Sequence, residues 1–217
     1  MSAVPTSPFP PDEAEARAAL GASYRRLGHA IAGHHIDVDD AARATDLLEQ
    51  LTDELAEGQL RDRVTERPTG DWGPAPRSGE RMYSFDERPV SGRSAPLGFD
   101  VDVFREGDDA VGYVTLGKAH EGAPARSHGG IVSALFDDLF GFVLTIEQQP
   151  AFTGELTVRY LAPTPIDEAL ECRVRLRERD GRKLHMNGEL TVRSTGQVVA
   201  SGRAVFIAID AEAFRRA

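Results

Sequence analysis

Hydrophobic positions change period along this chain, and each change predicts an element. Behind the acids Asp12, Glu13 and Glu15, the residues Leu20, Tyr24, Leu27 and Ile31 recur at three- and four-residue steps. They predict an amphipathic helix over 12–33, stopped at Gly33. His34 to Asp40 reads as a turn ending in an Asp N-cap. A second helix runs to about Glu57, with Ala41, Ala44, Leu48, Leu51 and Leu55 as its seam and Gly58 as its stop. Two such helices with a short connection predict an antiparallel hairpin. From Arg67 to Gly98 the period is lost among Pro, Gly and Ser, which reads as a linker with one short ordered piece at Met82–Phe85. After Gly98 the period becomes two. Phe99–Arg105 and Ala110–Gly117 flank a turn and predict a β-hairpin, and His120–Ser127 is a loop.

The stretch Ser127–Ile146 then reads as a helix that is apolar nearly all round. At ~100° per residue, Ile131, Leu135, Leu139, Phe142 and Ile146 share one face, and Val132, Phe136, Phe140 and Val143 share another. Only a narrow strip remains, made of Ser133, Ala134, Asp137, Asp138, Gly141 and Thr145. Two acids in a core helix are expensive unless something satisfies or uses them. At the head, His128-Gly129-Gly130 presents backbone N–H groups with no side-chain cover, a ready site for negative charge. Four further strands follow, at Ala151–Leu161, Ala169–Arg179, Leu184–Val192 and Val198–Ile209, with Asp180-Gly181 and Thr195-Gly196 as turns. Strand, strand, helix and four strands is an α+β order.

Composition narrows the function classes. The 217 residues carry a formal charge of −10, with seven Arg against fourteen acids in residues 1–75. An acidic surface argues against nucleic acid or an anionic membrane as the main partner. Cys172 is the only cysteine, and no basic and apolar leader opens the chain, so a cytoplasmic protein is expected. The longest apolar stretch is the central helix; its two Asp and three Gly argue for a core helix rather than a membrane span.

His-Gly-Gly, the acid nine residues after that His, the following Gly141 and the segment Thr153-Gly-Glu-Leu-Thr-Val-Arg-Tyr-Leu-Ala-Pro resemble the hotdog-fold acyl-CoA thioesterases. Within the 4-hydroxybenzoyl-CoA thioesterase superfamily the branch resembled is the phenylacetyl-CoA-thioesterase-like (PaaI-like) one. The resemblance covers roughly residues 80–209. It implies an antiparallel sheet wrapped round one long helix, here preceded by the helical hairpin. The expected organisation is a hairpin extension over 1–66, a linker over 67–97 and a thioesterase domain over 98–217. It implies a homo-oligomer, dimer or tetramer, whose pocket lies between subunits, with coenzyme A as part of the substrate and no other cofactor.

Residue by residue, Asp137 matches the family's catalytic acid, either nucleophile or general base. The N–H of Gly129 matches the donor that polarises the thioester carbonyl, and Gly130 keeps the approach clear. Thr153 stands where related enzymes hold the attacking water, and His128 positions the loop. Asp138 matches a second acid of some members and is expected to assist substrate binding or to bond a neighbouring subunit. Gly122 departs from the pattern, because some relatives have an Asn there; His120 or a backbone N–H is the expected stand-in.

Phe136 and Phe140 are expected to wall a hydrophobic or aromatic acyl group. Arg126, Arg159 and the row Arg173, Arg175, Arg177 are candidate partners for the coenzyme A phosphates. His34, His35, Asp37 and Asp39 read as a helix-linking turn rather than a metal site. Three rivals stand beside acyl-CoA hydrolysis: a non-catalytic acyl-CoA-binding or regulatory module, a hotdog hydratase or dehydratase, and a helical-hairpin interaction protein. In the blandest reading Asp137 is a solvated helix acid and His-Gly-Gly an ordinary helix entry.

Overall fold

In the computed structural model, residues 7–66 and 74–210 are described. Helix α1 (Pro11–Gly33) and helix α2 (Val38–Ala56) open the chain, followed by a single turn α3 (Arg63–Glu66). Then come β1 (Arg81–Met82), β2 (Val101–Glu106), β3 (Asp109–Thr115), a 3₁₀ turn (Lys118–His120), β4 (Glu121–Ala123) and β5 (Arg126–Ser127). Helix α4 (Gly129–Glu147) precedes β6 (Ala151–Tyr160), β7 (Ala169–Asp180), β8 (Lys183–Val192) and β9 (Gln197–Ala208).

Seven strands form one antiparallel sheet in the order β1-β2-β3-β7-β8-β9-β6. The small β4–β5 pair stands apart. Period-two alternation decides which side of the sheet is buried. Leu170, Cys172 and Val174 of β7 and Leu184, Met186 and Leu190 of β8 point inward and are buried. Gly107, Gly181 and Gly196 take positive φ in the three hairpin turns, where a side chain would be strained.

The inner sheet face closes on α4. Val132, Leu135, Phe136, Leu139, Phe140, Phe142 and Val143 are at most 2% exposed. Each such side chain stabilises the fold by roughly 1.5–3 kcal/mol. Among the described residues α4 is the one helix long and apolar enough to cross a membrane, and the sheet wraps it instead. This is the expected hotdog arrangement.

The two expected N-terminal helices are present, and the surprise lies in how they pack. Helix α2 starts as predicted, with Asp37 accepting from the Asp40 N–H at 2.8 Å, but it has no buried residue. Helix α1 docks on the body, yet through a different face from its apolar seam. Ala14 and Gly21 are buried, while Leu20, Tyr24 and Ile31 are about half exposed. The reason is the surface it meets. Residues 93–100 offer carbonyls and a carboxylate rather than apolar side chains. Arg25 takes them, bonding Arg93 O at 3.0 Å, Ala95 O at 2.9 Å and Asp100 at 2.7 Å. A Cβ on Gly21 would lie 2.7 Å from the Ser94 backbone, so only glycine allows this approach.

The expected linker is folded against the body from residue 74 to residue 97; its first residues, 67–73, lie outside the described residues. Met82 is buried in β1, and the buried Asp86 carboxylate holds Arg93 through two bonds of 2.8 and 2.9 Å.

Candidate active site

His128 is the N-cap of α4, and its Nδ1 accepts from the Gly130 N–H at 3.0 Å. Its carbonyl accepts from Ile131 N at 3.0 Å and Val132 N at 3.4 Å. That leaves the Gly129 N–H, among the described residues, as the head donor without a protein acceptor. It borders a cleft of about 450 Å³ lined by Arg126, Ser127, Gly129, Val132 and residues 160–164.

Asp137 sits eight residues down the helix, half-buried, and its Oδ1 accepts from the Thr153 hydroxyl at 2.9 Å. A bulge makes this pairing possible. The register of β6 against β9 shifts between Thr153 and Glu155. Ala151 and Thr153 therefore share the inner side with Leu156 and Val158, which a regular strand would forbid. Gly154 in mid-strand was the sequence signal for it.

Asp138 is not part of this cleft. One residue round the helix turns it ~100° away, where it is 5% exposed and bonded to Arg88 Nε at 2.5 Å. Arg88 Nη2 also bonds the Asp138 carbonyl at 2.7 Å, and the guanidinium lies 5.1 Å above the Phe142 ring. Burial pushes the Asp138 carboxyl above its ordinary range, with Arg88 and the nearby Ser91 opposing. The expected substrate-binding role is thus replaced by an internal ion pair. Gly141 belongs to the same feature, since any Cβ there would overlap Arg88.

Phe136 and Phe140 are also not where they were expected. Both are fully buried, stacked at 6.1 Å, and Phe136 packs on the bare Cα of Gly202. They fill the core and do not line this cleft. His120 cannot stand in for the missing Asn, because its Nδ1 accepts from Gly117 N at 3.1 Å and its ring packs between His29 and Phe99, each 4.8 Å away. Burial, then His29, pulls its pKa down to about 4. Its carbonyl instead anchors the His128 N–H at 2.8 Å. Gly122 is required as glycine: a Cβ would lie 2.7 Å from His128 Cα and Cβ.

Among the candidate phosphate partners, Arg126 reaches the cleft and bonds Ala125 O at 2.9 Å. Arg159 is exposed, and its odd position beyond the bulge puts it on the outer side of β6. Arg173 is engaged by Glu106, Asp109 and Glu171, and Arg175 by Asp109. No cluster of three His, Cys, Asp or Glu suited to a metal occurs among the described residues. One site residue had not been singled out. Tyr160 shares the inner side of β6 with Leu156 and Val158, donates to Gly129 O at 2.8 Å and meets Ser133 Oγ at 2.8 Å.

Residues 139–217 match the model of the Thioesterase-like superfamily. A crystal structure of a thioesterase superfamily protein is similar over 88% of this chain and 90% of its own, with a TM-score of 0.72 and 25% identity. Thioesterase superfamily member 2 from zebrafish shares the fold over 57% of this chain and 89% of its own, with a TM-score of 0.50 and 16% identity. Human acyl-coenzyme A thioesterase THEM5 is 28% identical over 92 residues, which are 42% of this chain; the match spans 37% of that relative's length. The wrapped central helix and the agreement along most of one solved structure give this chain the hotdog fold, and its C-terminal part is similar to the thioesterase superfamily.

Proposed function

We propose that this protein hydrolyses an acyl-CoA thioester to the free acid and coenzyme A, at a site shared by two copies. One observation carries the reading. The unpaired Gly129 N–H and Asp137, which Thr153 of β6 holds, lie on one helix, separated by eight residues or about 12 Å of rise. A single thioester carbonyl cannot touch both. A second copy related by a two-fold axis supplies the missing half of each site.

In that site the thioester oxygen accepts from the Gly129 N–H of one copy. Asp137 of the other copy takes a proton from water as the water oxygen adds to the carbonyl carbon. The negative oxygen so formed is held by the N–H. The carbon–sulfur bond then breaks, and the departing thiolate receives the proton. Thr153, donating to Oδ1, leaves Oδ2 to face the water. These steps call on no metal and no cofactor beyond the coenzyme A of the substrate. We infer an apolar acyl group, hydrophobic or aromatic. Its support is now Val132, Leu161, Ala162 and Pro163 at the cleft, no longer Phe136. Arg126, beside them, suits a phosphate. A cytoplasmic location fits a chain with one cysteine, which is buried.

Mixing two inactive variants tests the shared site. Asp137→Asn removes the acid, and Gly129→Pro disables the helix head: it removes the donor, at a first helical position that tolerates proline, and crowds the Tyr160 hydroxyl. Co-refolded, they should recover about a quarter of wild-type thiol release, because half the dimers are mixed and each carries one intact site. No recovery, or light scattering that gives a single chain with full activity, refutes the shared site. Enoyl-CoA hydration without thiol release would refute hydrolysis itself.

A further inference from the structure

Two adjacent glycines open α4, and glycine carries the widest backbone freedom of any residue. A donor placed there is useful only if something else fixes it, since misplacement by about 1 Å can cost ~10²-fold in rate. The peptide joining Gly129 to Gly130 is fixed at both ends of its dipole. Its N–H is taken by His128 Nδ1 at 3.0 Å, and its carbonyl by Tyr160 Oη at 2.8 Å. The tyrosine proton is committed to that carbonyl, so Ser133 donates to Tyr160 Oη across 2.8 Å and holds the hydroxyl in turn. The absence of a Cβ at Gly129 allows this, for one would lie 3.0 Å from Tyr160 Oη. Restraint of the 129–130 peptide fixes the Gly129 Cα, and with it the direction of the one head N–H that is left unpaired.

We propose that Tyr160 is a positioning residue for thioester hydrolysis, which clamps the first carbonyl of α4 and so aims the Gly129 N–H at the thioester oxygen. The proposal rests on the hydrolase reading above. It assigns Tyr160 no contact with substrate; it acts through the helix head.

The test is Tyr160→Phe in the full chain, which keeps the ring and removes the hydroxyl. Steady-state thiol release from an apolar acyl-CoA should show kcat reduced about tenfold with KM within twofold, because the aim matters most for the charge that develops in the transition state. Amide hydrogen exchange at Gly130, followed by nuclear magnetic resonance, should quicken about tenfold as the peptide is released. Ser133→Ala, which loosens the tyrosine without removing it, should give a smaller change of the same kind and carries the test if Tyr160→Phe lowers the melting temperature. A wild-type protein that releases no thiol removes the hydrolase reading and the role of Tyr160 with it. An active wild type whose Tyr160→Phe variant keeps its kcat, loses only in KM, or slows without faster Gly130 exchange overturns the clamp alone.

Discussion

Gly141→Ala sets two opposing effects against each other at one atom. Alanine in a helix interior is favoured over glycine by about 1 kcal/mol. Its Cβ would overlap the Arg88 guanidinium, the far end of a flexible side chain, which can swing away. The cost is therefore not steric; it is what the swing leaves behind. Asp138, 5% exposed, loses its 2.5 Å bond to Arg88 Nε, and its carbonyl loses the 2.7 Å bond to Nη2. Breaking a buried pair from one side costs about 3–5 kcal/mol, so the net loss is about 2–4 kcal/mol. At about 2–4 °C per kcal/mol for a chain of this length, Tm should fall by roughly 4–16 °C.

Acidity gives a second signature of the same change. Burial already holds the Asp138 carboxyl above its usual range against the pull of Arg88. Without Arg88 it rises further in the folded state only. A carboxyl raised in the folded state favours folding below its unfolded pKa and loses that contribution as pH climbs through the folded value. The deficit of the variant should thus be larger at neutral pH than at pH 5. Urea unfolding of both proteins at the two pH values measures this. A variant as stable as wild type at neutral pH, or a deficit that ignores pH, refutes the ion-pair account.

Asp137→Asn should lower turnover by ~10² or more with its melting temperature retained, as positioned acid–base groups commonly supply ~10²–10⁴; near-normal turnover in the folded variant would move the acid role elsewhere. Thr153→Ala should cost an intermediate factor in the same assay. His120 is held at about 4 against an ordinary 6.5, so the unfolded chain takes its proton first and stability should drain away as pH falls from about 6.5 to about 4. Melting curves of wild type and His120→Asn across that window check this, and parallel curves would show that another group controls the acid limb.

The elements were legible because their signals are local. Leu170, Cys172 and Val174 alternate, glycine marks the three sheet turns, and α4 is apolar over two adjoining faces. Asp137, Thr153 and the helix head were candidates from spacing and resemblance. What escaped was set by distant partners. Nothing beside Asp138 in sequence announces Arg88, fifty residues earlier. The apolar stripe of α1 was read correctly as apolar, yet the surface it meets offers carbonyls, so Gly21 and Arg25 make the contact instead. Phe136 was mistaken for a wall because periodicity distinguishes faces of a helix but not core from cleft. Tyr160 could have been found, since its alternation with Leu156 and Val158 points it at the helix head.

The docking of α1 also fixes when it can be held during synthesis. Translation delivers α1 before its partners: the acceptors of Arg25 lie at residues 93, 95 and 100, and the donor to His29 Nδ1 is the N–H of Ala119. The segment that carries those carbonyls is itself bolted to α4 through Arg88. The sheet under α4 is joined only when β9, the last strand made, pairs with β8 and β6 together. Helix α1 consequently travels undocked from the moment it leaves the ribosome, while non-local pairings elsewhere in the chain are awaited. The first of the described helices is among the last of them to be held.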